Sequence, residues 1–211
     1  MCAEKKLTER KRENIIEAAV MEFRASGFSA TSMDRIAATA NVSKRTIYNH
    51  FASKQILFQS IAQALCDQLT QVSEYPYDPE IPLRTQLHAI AEQEMAMLTT
   101  AEFISTFKMI TSESLVSPEL TRATIDNFQE SSLGVVTWIK QATKDGKLSV
   151  SDPIRAGKQF LALIETFALW PQLYDFKPVP KKSAQKTIIN SAVEMFINTY
   201  GSKTSRKKTS Q

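Results

Sequence analysis

The chain has 211 residues, 43% of them hydrophobic and 23% charged, which is enough apolar material for one large domain or for a small domain joined to a medium one. Its five glycines (Gly27, Gly134, Gly146, Gly157 and Gly201) never cluster, so the backbone cradles that bind dinucleotides or nucleoside triphosphates are excluded. The net charge of +4 is uneven. Residues 1–60 carry ten Lys and Arg against six Asp and Glu, residues 61–200 carry twelve against sixteen, and the last eleven residues add four basic groups and no acid. A basic end module points to a polyanionic partner.

Taken in chain order, the pattern is helical nearly throughout. Between Leu7 and Ser26 the residues Ile15, Ile16, Ala19, Val20 and Phe23 form one apolar helical stripe, and Gly27 stands where a helix end favours a left-handed residue. Thr31-Ser32-Met33-Asp34 fits a capping box, with a hydroxyl at the N-cap and an acid three residues on, opening a short helix to about residue 40. Asn41-Val42-Ser43 is turn material, and Ser43 caps a second short helix from Lys44 to about His50. Ser53 caps a longer one to about Val72. After the segment Tyr75-Pro76-Tyr77-Asp78-Pro79, helices are expected from Pro82 to about Thr99 and from Ala101 to about Ser112. Ser117-Pro118 and Asp152-Pro153 each place a capping residue before a first-turn proline, predicting helices to about Lys144, stopped by Gly146, and to about Leu169. Pro171, Pro178 and Pro180 interrupt the chain before a last helix from Ser183 to Tyr200, stopped by Gly201. The run Val135–Ile139 is too short and too embedded to argue for a sheet, so the expected class is all-α.

Cys2 and Cys66 are 64 positions apart with no metal-ligand spacing, and the two histidines form neither a triad nor a metal pair. An enzyme, a cofactor and a bound metal are therefore not expected. The charged start and the lack of a membrane-length apolar run lead to the expectation of a cytoplasmic location with reduced thiols and no membrane partner.

Two seven-residue helices joined by a tight turn cannot stand alone and need a third to bury against. Ile36, Ala37, Ala40, Val42, Ile47 and Phe51 supply that inner face, and the stripe Ile15/Ala19/Phe23 its complement. The outward residues of the second short helix are then Lys44, Arg45, Thr46, Tyr48 and Asn49, a density of groups suited to phosphates and base edges in a major groove. The run from Thr31-Ser32-Met33-Asp34-Arg35-Ile36-Ala37 through Asn41-Val42-Ser43-Lys44-Arg45-Thr46-Ile47-Tyr48-Asn49-His50-Phe51 to Ser53-Lys54 closely resembles the DNA-binding domain of the TetR family of transcriptional regulators. The resemblance covers about residues 8–56. It implies an N-terminal helix-turn-helix domain over 1–56, a helical dimerisation and ligand-binding domain over 57–200, and a basic, disordered tail over 201–211.

By the same resemblance Thr31 and Ser32 are expected to contact phosphates, and Ser43, Lys44, Arg45, Thr46, Tyr48 and Asn49 occupy recognition-helix positions. Tyr48 and His50 match backbone clamps, and Lys54 is expected to hold a phosphate at a helix N-terminus. Asn49 departs from the family, which often has His or another large residue there, so the operator cannot be borrowed from a relative.

The C-terminal stretch Phe103 to Leu120, with Asp145-Gly146-Lys147-Leu148, resembles the AefR-like subset. In the family the last two helices normally form a four-helix dimer interface. Here that assigns Phe160, Leu163, Ile164, Ile188, Ile189, Val193 and Phe196 either to a homodimer partner or to the chain's own core. The family also implies a pocket for a small apolar or aromatic effector, with Phe103, Phe107, Phe128, Trp138 and Phe167 as candidates. Glu165 lies in the apolar run Phe160–Trp170 and needs a counterpart, either across a dimer or on a cationic ligand. The expected function is a ligand-responsive regulator, acting as a repressor on a palindromic operator of double-stranded DNA. The alternative is a DNA-binding protein without a small-molecule ligand, acting structurally or through a protein partner.

Overall fold

In a computed structural model of the chain, residues 2–117, 120 and 134–202 are described. Among these residues there are ten helices and no strand. They are α1 (Cys2–Ala30), α2 (Met33–Thr39), α3 (Lys44–His50), α4 (Lys54–Ser73), α5 (Leu83–Leu98), α6 (Ala101–Val116), α7 (Gly134–Lys144), α8 (Pro153–Ala168), α9 (Trp170–Tyr174) and α10 (Lys182–Tyr200). The all-α expectation is met, and most capping residues act where expected. Ser43, Ser53 and Asp152 accept from the backbone N–H of Thr46, Ile56 and Arg155 at 3.0, 3.2 and 3.0 Å.

The chain divides into two compact units, residues 1–66 with 105–130, and residues 67–104 with 131–211. The boundary expected after residue 56 falls inside α4, and the chain returns to the first unit after Ile104.

In the first unit α1 is broken at Gly27, whose φ of 77° and ψ of 163° place it in a region that only glycine enters without strain. The break turns Phe28 back onto Phe23 and Phe58, with ring centroids 5.3–6.0 Å apart. Ile15, Ala19, Phe23, Ile36, Ile47, Phe51 and Leu57 fill the core around them. The N-cap of α2 is Ser32 rather than Thr31. The Thr31 side chain is buried and its hydroxyl donates back to Gly27 O at 2.8 Å, which leaves the capping position to its neighbour.

In the second unit α5, α8 and α10 pack mutually, with α7 and α9 against α8. Phe160, Ile164, Ile189, Val193 and Phe196 are all buried in this protomer core, with the rings of Phe160 and Phe196 5.2 Å apart. Of the two readings of these residues, the chain's own core is the one the structure takes. Arg84 and Glu194 form a two-pronged ion pair between α5 and α10. Pro171 does not interrupt the chain outright, because it sits in the first turn of the short helix α9, where a missing N–H costs nothing.

Candidate nucleic-acid interface

The turn from α2 to α3 is set by Asn41, whose φ of 52° is accessible to an asparagine at little cost. Val42 N then bonds Ala37 O at 3.0 Å, and Ser43 starts α3. Within α3 the apolar anchor is Ile47, fully buried, with Phe51 closing the end. A helix advances 100° per residue, so fixing Ile47 inward sends Lys44, Arg45, Tyr48 and Asn49 (i, i+1, i+4, i+5) outward on one stripe. All four are exposed.

The exposed groups differ in what already holds them. Lys44 Nζ meets Asp34 Oδ2 of α2 at 2.7 Å, and this hydrogen bond raises the lysine pKa. Both side chains stand in solvent, so a phosphate can replace the aspartate with little loss. Ser43 and Thr46 share a hydroxyl contact of 2.7 Å beside the cap. His50 is half-buried with its ring 6.4 Å from that of Phe51. Arg45 and Asn49, one turn apart, have side chains without a hydrogen bond or ion pair to any described residue, and Arg45 carries five donors in a fork suited to a guanine edge.

Two residues expected to contact phosphates have side chains engaged within the fold. Thr31 is 2% exposed, and its hydroxyl is committed to Gly27 O and Glu22 O. Lys54 is turned inward: its ammonium donates to Phe28 O at 2.5 Å, Thr31 O at 2.8 Å and Ser29 O at 3.3 Å, and lies 4.4 Å from the centre of the Phe28 ring. An ammonium has three N–H groups, and all are engaged. Burial lowers the Lys54 pKa, opposed by the charge of Glu113. Glu113, on α6 within the same unit, also accepts from Phe28 N at 2.9 Å. Lys54 and Glu113 thus tie off the polar backbone exposed by the Gly27 break. Of the two residues expected to open α2 on the DNA, only Ser32 is exposed.

The first unit therefore presents a short capped helix with four exposed polar residues on one face, braced by a second short helix and a buried aromatic cluster. The family model for bacterial regulatory proteins of the tetR family matches residues 15–61, and the model for the AefR-like transcriptional repressor C-terminal domain matches residues 85–202. The chain belongs to the TetR family. It is therefore a DNA-binding transcription regulator of helix-turn-helix type. It is 38% identical to a TetR family transcriptional regulator from Pseudomonas syringae pv. tomato str. DC3000 of known crystal structure, with a TM-score of 0.80 over 90% of this chain and 96% of that one. It is 28% identical to the flavonoid-responsive regulator FrrA, with a TM-score of 0.76 over 92% and 99% of the two chains. It is also 29% identical to the uncharacterised HTH-type transcriptional regulator YhgD of Bacillus subtilis (strain 168), over 64% of this chain and 69% of YhgD.

TetR-family C-terminal domains diverge, and here the five aromatic residues expected around an effector fall in different settings. Phe103 and Trp138 are buried in the second unit. Trp138 Nε1 donates to Gln86 Oε1 at 2.9 Å and meets Tyr77 edge-on at 5.9 Å, so it is a fixture of the core. Phe107 is half-buried and falls in the first unit. Phe167 is 58% exposed on the outer side of α8, so it is no interior wall. Phe128 lies outside the described residues, as do the tail residues 203–211. No helix among the described residues is long and apolar enough to cross a membrane.

Proposed function

We infer that the protein is an effector-responsive repressor that binds a near-palindromic operator as a homodimer in the cytoplasm. The observation that carries the DNA reading is the outward stripe of α3, where Arg45 and Asn49 stand ready for base edges and Lys44 and Tyr48 for the sugar-phosphate backbone. Ser32 and Ser43, at the two helix N-caps, add hydroxyls and helix N-termini on which phosphates can rest. Repression is supported by the C-terminal match to the AefR-like repressor domain, and effector control by the flavonoid-responsive relative.

Dimerisation is supported by the outer face of α8 and α10. A groove of about 410 Å³ runs there, lined by Gln159, Ala162, Leu163, Thr166, Met195 and Tyr200 among others. Phe167 and Met195 stand more than half exposed on these helices. Such a surface on two adjacent helices suits burial against its symmetry-related copy. Two equivalent α3 helices then read two half-sites in successive major grooves.

Selection of bound fragments from the host genome tests the reading. The expected product is a near-palindrome whose half-site centres lie about 10 base pairs, or a multiple of that, apart. Recovery of fragments with no shared sequence would overturn it.

A further inference from the structure

The inner face of α5 carries Leu83, Gln86, Leu87, Ile90, Ala91, Glu94, Met95 and Leu98, so two polar residues occupy core positions eight residues apart. They are treated in opposite ways. Gln86 is fully satisfied: Oε1 accepts from Trp138 Nε1 and Asp78 N, and Nε2 donates to Asp78 O and Ile81 O, all at 2.7–3.0 Å. Glu94 is 1% exposed, and neither carboxylate oxygen has a hydrogen-bond partner.

Glu94 is not alone. Glu165 on α8, the helix packed against α5, acts electrostatically on it. Burial raises the pKa of both groups, and that of Glu94, pushed further by Glu165, reaches about 8. None of the ion pairs among the described residues includes either carboxylate. Along α5, Glu94 has Ile90 and Leu98 one turn to either side, and on α8, Glu165 has Leu161 one turn before it and the C-cap residue Leu169 after it. All four are buried. Native cores rarely leave a buried acid without a donor, and a second, half-buried acid acting on it makes the exception stronger.

We propose that Glu94 and Glu165 form the charged end of the effector site, and that the effector is an organic cation, a protonated or quaternary amine carried on an apolar body. A cation supplies what the two carboxylates lack, and the surrounding Ile and Leu side chains suit the body that brings it. A metal ion fits poorly, because hard divalent cations take six or more oxygens, and no group of three or more potential ligands occurs among the described residues. A neutral apolar effector would leave Glu94 without a partner, and an anion would gain nothing from two carboxyls and be repelled wherever either is ionised.

The proposal rests on the reading of the protein as effector-responsive, and the test separates the two. Three probes with one body are titrated calorimetrically at neutral pH into the full chain: 4-phenylbutylamine, 4-phenylbutanol and 4-phenylbutanoate. The amine is expected to bind at least about tenfold more tightly than the alcohol, and the carboxylate not at all. Glu94→Gln, which keeps shape and cannot ionise beside a bound cation, should weaken the amine about tenfold or more and leave the alcohol unchanged. Glu165→Gln should do the same to a smaller degree, and it serves alone if the first variant does not fold. Equal affinity for amine and alcohol, failure of the amine to bind, or an amine affinity indifferent to both substitutions overturns the proposal. Each probe is then added to the complex with the selected operator fragment. Release by the alcohol or carboxylate but not the amine overturns the cationic assignment and leaves effector control standing. Binding of the amine that depends on Glu94 without altering DNA affinity supports the site and removes its regulatory role.

Discussion

The two units handle polar groups in different ways, and the difference locates what each is built to meet. In the first unit the break at Gly27 is repaired from within. Lys54 collects three carbonyls, Glu113 takes the Phe28 N–H, Thr31 returns to Gly27, and Glu22 bridges Thr39 and Arg35. Arg45 and Asn49, without a partner among the described residues, stand outside on α3. In the second unit Phe167 and Met195 are exposed, and Glu94, a carboxyl without a hydrogen-bond partner, is inside. An exposed fork of donors suits a large polyanion that approaches from solvent. A buried carboxylate suits a small ligand that must be enclosed.

The contrast can be broken in several places. The largest effect is expected at the second unit's core: Ile164→Asp buries a charge where Ile164 is fully enclosed, costing about 4 kcal/mol or more, and circular dichroism should show loss of the cooperative melt rather than a folded monomer. On the outer face, Phe167→Glu with Met195→Glu should leave the melt intact and weaken self-association by about 2–4 kcal/mol, so that sedimentation finds folded monomers. An unchanged dimer would move the interface elsewhere. In the first unit Lys54→Met strips the donor from three carbonyls and should cost about 2–3 kcal/mol of stability. The slope of log affinity against log salt should stay unchanged, whereas loss of a phosphate contact would reduce it by about one.

A smaller effect separates the two buried polar residues of α5. A carboxyl whose folded pKa, about 8, exceeds its unfolded value stabilises the fold fully only at low pH. That contribution is lost as pH rises from the unfolded pKa through about 8. Glu94→Gln removes the titration, so its melting temperature relative to the parent chain should be several degrees higher at pH 8 than at pH 5.5. A pH-independent difference would mean that Glu94 finds a counterpart in solution.

Local punctuation was readable in advance. A Ser, an Asp or a Gly at a helix end acts within a few residues, so Ser43, Asp152, Gly27 and Gly146 behave as their neighbours imply. Where a choice depended on distant packing, local pattern was insufficient. Thr31 and Ser32 are equally good caps by type, and the burial of Thr31 against α1 decides between them. Lys54 lies at a helix start, which suits a phosphate, until the Gly27 break, 27 residues earlier, presents carbonyls to it. In α8 and α10 the apolar residues cover more than one face, and periodicity does not say which face meets the protomer and which a partner. Glu94 carried a signal that composition hides: it interrupts the helical series Leu87, Ile90, Ala91, Met95, Leu98 at an inward position.

In the proposed reading α3 reads bases through Arg45 while Lys54, ten residues from its start, serves the fold. Binding titrations of the parent chain, Arg45→Ala and Lys54→Met on a randomised operator library, at several salt concentrations, test it directly. Arg45→Ala is expected to cost about 1–3 kcal/mol and to relax preference at one base position in each half-site. Lys54→Met should lower stability and keep the ranking of operators and the salt slope. A uniform loss across all sequences for Arg45→Ala, with a reduced salt slope for Lys54→Met, would instead make Arg45 a phosphate contact and return Lys54 to the DNA backbone.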